Sequence, residues 1–124
     1  MHFYPHLFYK LNISFFLMTN RCMSFWEILV PKYSNEGKEY PVGYHQDWDK
    51  KVREIAGGIT ILKTAKGHWV NPKGRVFAEE MIPVRIYCTK RSIDKILDLT
   101  IEHYNQESVF AYRISDFVIV RKRH

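Results

Sequence analysis

The chain has 124 residues, 46% hydrophobic and 26% charged; this fits one globular domain and excludes a largely disordered or collagen-like chain. Its net charge of +6 lies at the ends: residues 1–22 carry +2, the tail Arg121-Lys122-Arg123 carries +3, and residues 23–120 carry only +1. That near-neutral body argues against nucleic acid as the main partner.

Residues 1–22 are rich in aromatics (Phe3, Tyr4, Phe8, Tyr9, Phe15, Phe16) and contain no glycine and no acid. The apolar stretch from Leu11 to Met18 is broken by Asn12 and Ser14, and no small-x-small cleavage site follows it. Asn12-Ile13-Ser14 matches a glycosylation sequon. We expect translation to start at Met23, with residues 1–22 an extension outside the fold, residues 23–120 the domain and residues 121–124 a basic tail. No apolar run reaches the ~18–20 residues of a membrane span. The two cysteines, Cys22 and Cys88, have no zinc-ligand spacing and fit a reducing cytoplasm.

Phe25-Trp26-Glu27-Ile28-Leu29-Val30 is rich in β-formers, ends at Pro31 and predicts a first strand. Residues 34–44 read as a polar loop. Asp47 is expected to open a helix with Trp48, Val52 and Ile55 on one face and the pairs Asp49–Arg53 and Lys50–Glu54 on the other. Gly57-Gly58 ends it. Ile59–Thr64 reads as a second strand, with turn signals at Lys66-Gly67 and at Asn71-Pro72-Lys73-Gly74. Between these turns, His68-Trp69-Val70 is a short extended piece.

Arg75 to Cys88 is mostly extended. Ile82, Val84, Ile86 and Cys88 alternate with Pro83, Arg85 and Tyr87, the period of a half-buried strand. Pro83 belongs at a bulge or an edge because it cannot donate to a ladder. Ser92 is expected to cap a second helix whose buried stripe is Ile93, Ile96, Leu97, Thr100 and Tyr104. A last strand over Ser108–Ile114 is broken by Asp116, and Phe117–Val120 reads as a short extra strand. The order β-α-β-β-α-β predicts an α+β, ferredoxin-like antiparallel sheet with two helices on one face. The other face carries enough apolar side chains to call for cover by a partner subunit.

Candidate chemistry is sparse. Glu79 and Glu80 are adjacent on a predicted strand, so they face opposite sides. They read either as surface acids beside a turn or as a positioned carboxylate that holds a substrate ammonium or acts as a base. Trp69 lies across the Asn71–Gly74 turn. If the two pieces pair as a hairpin it comes close to Glu79, as an aromatic plane for a cationic or purine-bearing ligand or as an ordinary buried tryptophan. Gln106 and Ser108 either present hydrogen-bonding groups at the end of the sheet or belong to a helix cap and loop, which Asn105 suits. Tyr112 and Phe110 on the last strand offer rings for stacking or for packing. His45, His68 and His103 lack ligand spacing, and no phosphate loop or nucleophile elbow is present; neither a metal nor a cofactor is expected.

Gly58-Ile59-Thr60, Gly67-His68-Trp69, Gly74 with Glu79, and Gln106-Glu107-Ser108-Val109 resemble a widespread uncharacterised bacterial family of small ferredoxin-like domains. More distantly, Trp69, Glu79 and Cys88, followed by a helix and Gln106-x-x-Val109, resemble the phage S-adenosylmethionine lyases. The resemblance spans about residues 24–114. It implies a trimer with sites between subunits, a substrate whose carboxylate attacks its own side chain to release methylthioadenosine, and Glu79 or Glu80 near the substrate amine. The chain departs from the lyases between Gly67 and Glu79, where it carries Asn71-Pro72-Lys73-Gly74. The first expectation is therefore a cytoplasmic, oligomeric small-molecule-binding protein, with lyase action on a nucleoside-like sulfonium as its catalytic form. The second is a non-catalytic interaction or regulatory module of phage or mobile-element origin. The third is a nucleic-acid binder using the basic ends.

Overall fold

A computed structural model describes residues 22–70 and 72–123, without the side chains of Trp69, Phe77 and Ala78. The expected extension falls outside the described residues, Cys22 excepted. Five strands and two helices follow in the order β1 (Met23–Pro31), α1 (Val42–Ala56), β2 (Thr60–Ile61), β3 (Ala65–Val70), β4 (Val76–Thr89), α2 (Lys90–Tyr104) and β5 (Ala111–Ser115). The sheet order is β2-β4-β1-β5, with β3 also paired to β4, and every pairing is antiparallel. This is the α+β, ferredoxin-like architecture expected.

The sheet face toward the helices carries Trp26, Ile28 and Val30 from β1 and Val84, Ile86 and Cys88 from β4. They pack against Trp48 and Val52 of α1 and Ile93, Ile96 and Tyr104 of α2. Buried polar groups in this layer are paired: Trp48 Nε1 donates to Thr100 Oγ1 at 3.0 Å and Trp26 Nε1 to the Cys88 carbonyl at 3.1 Å. Burial pushes the Cys88 thiol up to about 11, so almost none of it is thiolate at neutral pH. Exposed Cys22 is expected to react with iodoacetamide in the native protein while Cys88 reacts only after denaturation; peptide mass spectrometry reads the two sites separately. Alkylation of native Cys88 at a comparable rate would contradict this packing.

Several boundaries differ from expectation. Helix α1 starts at Val42 rather than Asp47. Pro41 precedes it with φ −64°, already suited to a helix start, and its carbonyl accepts the Tyr44 N–H at 3.0 Å. Tyr44 and His45 then lie against the Tyr104 ring, at 5.6 and 5.5 Å between centroids, a tertiary contact that fixes the first turn. At its far end Gly57 takes φ 86°. Of the two expected ion pairs on α1, Arg53–Asp49 forms at 2.9 Å; Lys50 and Glu54 make none among the described residues. The cap of α2 is Thr89, whose side chain accepts the Ser92 N–H.

The single strand expected over Ile59–Thr64 shrinks to Thr60–Ile61, and Lys66-Gly67 lies inside β3 instead of a turn. Gly67 sits opposite Glu79, and a Cβ on it would meet Met81 Cε at 3.0 Å, a tight contact with the flexible end of that side chain. Pro83 is neither bulged nor on an outer strand. It pairs with Leu29 of β1, on the stretch of β4 between the segments paired to β3 and to β2, where its carbonyl accepts the Leu62 N–H at 2.9 Å. A missing donor is tolerated where the neighbouring strand is interrupted.

Strand β5 begins at Ala111, later than expected, and residues 117–120 form no strand. Ser115 already pairs with Phe25 near the start of β1, so β1 has almost no backbone left to pair with them. The Asp116 carboxylate closes this end, accepting from Ser24 Oγ at 3.3 Å and pairing with Arg113 at 3.2 Å.

Candidate functional site

Strand β4 is longer than β1. Their pairing ends at Pro31 opposite Met81, so residues 76–80 are paired to β3 alone. Beside this stretch the chain leaves β1 as loop 32–40 and returns from α2 as segment 105–110. A cleft of about 570 Å³ opens between them, with Tyr33, Asn35, Glu79, Glu80, Gln106, Ser108 and Phe110 in its lining. That volume falls in the range of small-molecule sites.

Loop 32–40 is held at both ends. The Lys32 N–H donates to the Glu80 carbonyl at 3.3 Å and the Tyr40 N–H to the Lys32 carbonyl at 3.1 Å. Within the loop the Ser34 N–H reaches the Lys38 carbonyl at 2.7 Å, and Tyr33 bridges to Glu39. The segment after α2 is ordered by its cap. Asn105 takes φ 50° and ψ 51°, and the Gln106 N–H reaches back to the Ile101 carbonyl at 3.0 Å, the pattern of a left-handed helix stop. The loop and the cap are then joined: Asn35 Nδ2 donates to the Asn105 carbonyl at 3.0 Å, and Gln106 Nε2 donates to Asn35 Oδ1 at 3.3 Å and to the Tyr104 carbonyl at 3.0 Å.

The chemistry of the lining is acceptor-rich. Gln106 uses its nitrogen in these bonds, which leaves its side-chain oxygen for a ligand. The Glu80 carboxylate faces Lys32 Nζ at 3.4 Å, and that hydrogen bond is the main reason the Lys32 pKa is raised. Glu79 is exposed and makes no ion pair among the described residues. A lining that draws on Glu79, Glu80 and Gln106 and on the aromatic residues Tyr33 and Phe110 suits a ligand with a positive charge or several N–H donors on an apolar or aromatic body.

Of the residues singled out from the sequence, Glu79, Glu80, Gln106 and Ser108 lie around this one cleft. Tyr112 lies outside its lining: it sits on β5 opposite Glu27, with its ring 5.9 Å from that of Phe110, and Phe110 is the one at the cleft. Trp69 is opposite Phe77, two residues nearer the turn than Gly67, the partner of Glu79; its side chain lies outside the described residues. Asn35 falls within the polar stretch 34–44 and Tyr33 just before it, and neither is marked as a site residue by the sequence. The Asn-Glu-Gly run marks a turn, but no sequence signal connects Asn35 to a glutamine 71 residues away.

Away from the cleft, the sheet face opposite the helices holds Glu27, buried, with its Oε1 3.0 Å from Arg85 Nε. There Tyr112 and Ile114 are 41% and 40% exposed, continuing the apolar surface that begins with Phe110, 65% exposed, at the cleft. Among the described residues no group of three or more His, Cys, Asp or Glu side chains is placed to hold a metal ion, and no helix is long and apolar enough to cross a membrane.

No protein-family model matches the chain, and no curated protein matches it. Solved structures do. A phage S-adenosylmethionine lyase in complex with S-methyl-5′-thioadenosine aligns over 77% of this chain and 83% of its own, with TM-score 0.59 and 13% identity. The periplasmic divalent cation tolerance protein CutA from Archaeoglobus fulgidus aligns over 82% and 87%, with TM-score 0.56 and 14% identity. CutA1 from Oryza sativa aligns over 86% of each chain, with TM-score 0.57 and 9% identity. At these identities the likeness is one of fold: the chain is a small ferredoxin-like protein.

Proposed function

We propose that this chain binds a positively charged, nucleoside-type small molecule in the cleft between loop 32–40, β4 and segment 105–110, with S-adenosylmethionine as its first candidate and lyase cleavage as the reaction. The observation that carries this reading is a single cleft lined by Glu79, Glu80 and Gln106 together with Tyr33 and Phe110, with Glu80 engaged by Lys32 and Glu79 left without an ion pair among the described residues. The carboxylates suit an ammonium and a sulfonium, and the rings suit an adenine. The fold shared with a phage lyase crystallised with methylthioadenosine supports the nucleoside part.

In the proposed reaction the substrate supplies its own nucleophile. A carboxylate oxygen bonds to the γ-carbon as the C–S bond breaks. The sulfur keeps the electron pair and leaves as neutral methylthioadenosine, and the amino-acid portion closes to a lactone. No external proton or oxidant enters. The protein's part is to fold the substrate so that oxygen and carbon meet, which is catalysis by orientation. Glu79 holds the ammonium and the rings hold the base. Chromatography after incubation with S-adenosylmethionine is expected to show methylthioadenosine in proportion to protein. Absence of product at high protein concentration would remove the lyase, and absence of saturable binding would remove the ligand.

We also propose that copies of the chain assemble, a trimer being the first expectation, through the sheet face and β5 edge that leave Phe110, Tyr112 and Ile114 exposed. Exposed apolar surface of this kind marks an interface. Sedimentation is expected to give a multiple of the chain mass, and Ile114→Glu to lower it. A wild-type monomer at high concentration would contradict the assembly.

A further inference from the structure

We infer that His45 is a proton-operated latch on loop 32–40, holding that wall of the cleft in place when its ring is neutral and loosening it when charged. As regulation of the cleft, this rests on the ligand-site reading above; as a movement of the loop, it does not.

Tyr104, the last residue of α2, is fully buried and uses both of its polar groups. Its hydroxyl lies 2.7 Å from His45 Nδ1. Its carbonyl accepts from the Tyr40 hydroxyl at 2.9 Å and from Gln106 Nε2 at 3.0 Å. Tyr40 closes loop 32–40, and Gln106 holds Asn35 of the same loop. One buried residue therefore ties together the first turn of α1, the Tyr40 end of the cleft wall and the cleft glutamine that holds Asn35.

The hydrogen bond to His45 is sensitive to protonation. Burial raises the Tyr104 pKa, aided by Tyr44, Tyr40 and Asp49, so the side chain stays a phenol. With a neutral ring the phenol donates to Nδ1. An imidazolium carries hydrogen on both nitrogens, so the phenol must turn and accept. Its own proton then has no acceptor, because the hydroxyl makes no other hydrogen bond among the described residues. The charged ring can no longer take the phenol's proton, and burial disfavours its charge where it lies, so protonation favours the arrangement in which His45 has swung out to water.

His103 makes the useful contrast. Its Nε2 faces the Tyr44 carbonyl at 2.8 Å, so it donates there whether the ring is neutral or charged.

The surrounding charges fall on both sides. His45 stands on the first turn of α1, where the helix dipole disfavours a cation, and His103 on the last turn of α2 disfavours it as well. Glu39 from the loop pulls the other way. Asp49 lies on the next turn of α1, and Lys51 and Glu102 lie beside His103. Burial first, then His103, hold the His45 pKa below its ordinary value. A depressed base stabilises the closed wall fully above the ordinary histidine range, and that stability drains away as pH falls from about 6.5 toward the depressed value.

The test is amide hydrogen exchange of residues 32–40 in the unliganded full chain, corrected for intrinsic rates, between about pH 7.5 and 5.5. The wild type is expected to show a several-fold faster corrected exchange at the lower pH. His45→Gln, which keeps an acceptor for the phenol but does not titrate, is expected to remove the rise, and His103→Gln to keep it. A flat wild-type profile, or an unchanged rise in His45→Gln, would overturn the latch. S-adenosylmethionine binding measured alongside separates the two ideas. A responding loop without binding leaves the latch standing and sinks only the ligand; binding with a flat loop does the reverse.

Discussion

Converting Glu79 and Glu80 together to glutamine is expected to weaken S-adenosylmethionine binding roughly tenfold to a hundredfold, the worth of charge-assisted hydrogen bonds lost from one site. Calorimetric titration measures it. The two residues are not equivalent. Glu80 already faces Lys32 at 3.4 Å, so part of its charge is answered within the protein, whereas Glu79 is exposed without an ion-pair partner among the described residues. Glu79→Gln alone should therefore carry most of the loss. Thermal stability should change little, because neither carboxylate is in the core and exposed charges of this kind contribute ~0–1 kcal/mol. A double variant that binds like the wild type would mean that the cleft does not read the ligand's positive charge.

Trp48→Ala is expected to cost about 3–5 kcal/mol of folding stability, the largest effect of any single change considered for this chain. Trp48 is 2% exposed at the centre of the contact between α1 and α2, and its removal leaves a cavity beside Tyr104, whose ring centroid is 6.1 Å away. Against a total stability of ~5–15 kcal/mol for a domain, such a loss brings the chain close to unfolding; denaturant titration gives its size. Trp48→Phe should cost less, about 1–2 kcal/mol, because Thr100 Oγ1 loses the indole donor but still bonds the Ile96 carbonyl. Lys90→Ala, which breaks an exposed pair with Asp94, should fall within about 0.5 kcal/mol of the wild type. Equal losses for Trp48→Ala and Lys90→Ala would contradict the core as described.

The features legible in the sequence were those set by local periodicity. The alternation of Ile82 to Cys88 marked β4, and the spacing of Ile93, Ile96, Thr100 and Tyr104 marked the buried stripe of α2, because each pattern is written within a few residues. Asn105 announced its own helix stop. The start of α1 was not legible, since what holds Tyr44 and His45 in the helix is Tyr104, about 60 residues on. The split between β2 and β3 was hidden for a similar reason: Lys66-Gly67 reads as a turn until it is paired with Glu79 and Glu80 of β4. At the site, Glu79, Glu80, Gln106 and Ser108 stood out as polar residues near predicted strand ends. Tyr33 and Asn35 did not, because they matter only once loop 32–40 is folded against the end of α2. Tyr112 drew attention as a ring on the last strand, but the end of β1 sets which ring on that strand meets the cleft.

Mapping S-adenosylmethionine onto the chain by backbone amide chemical shifts tests the central claim most directly. The account predicts saturable changes gathered in loop residues Tyr33–Gly37, in Glu79–Met81 of β4 and in Gln106–Phe110. Saturable changes centred elsewhere, or no saturable change at millimolar ligand, would contradict the assignment of the cleft as the site.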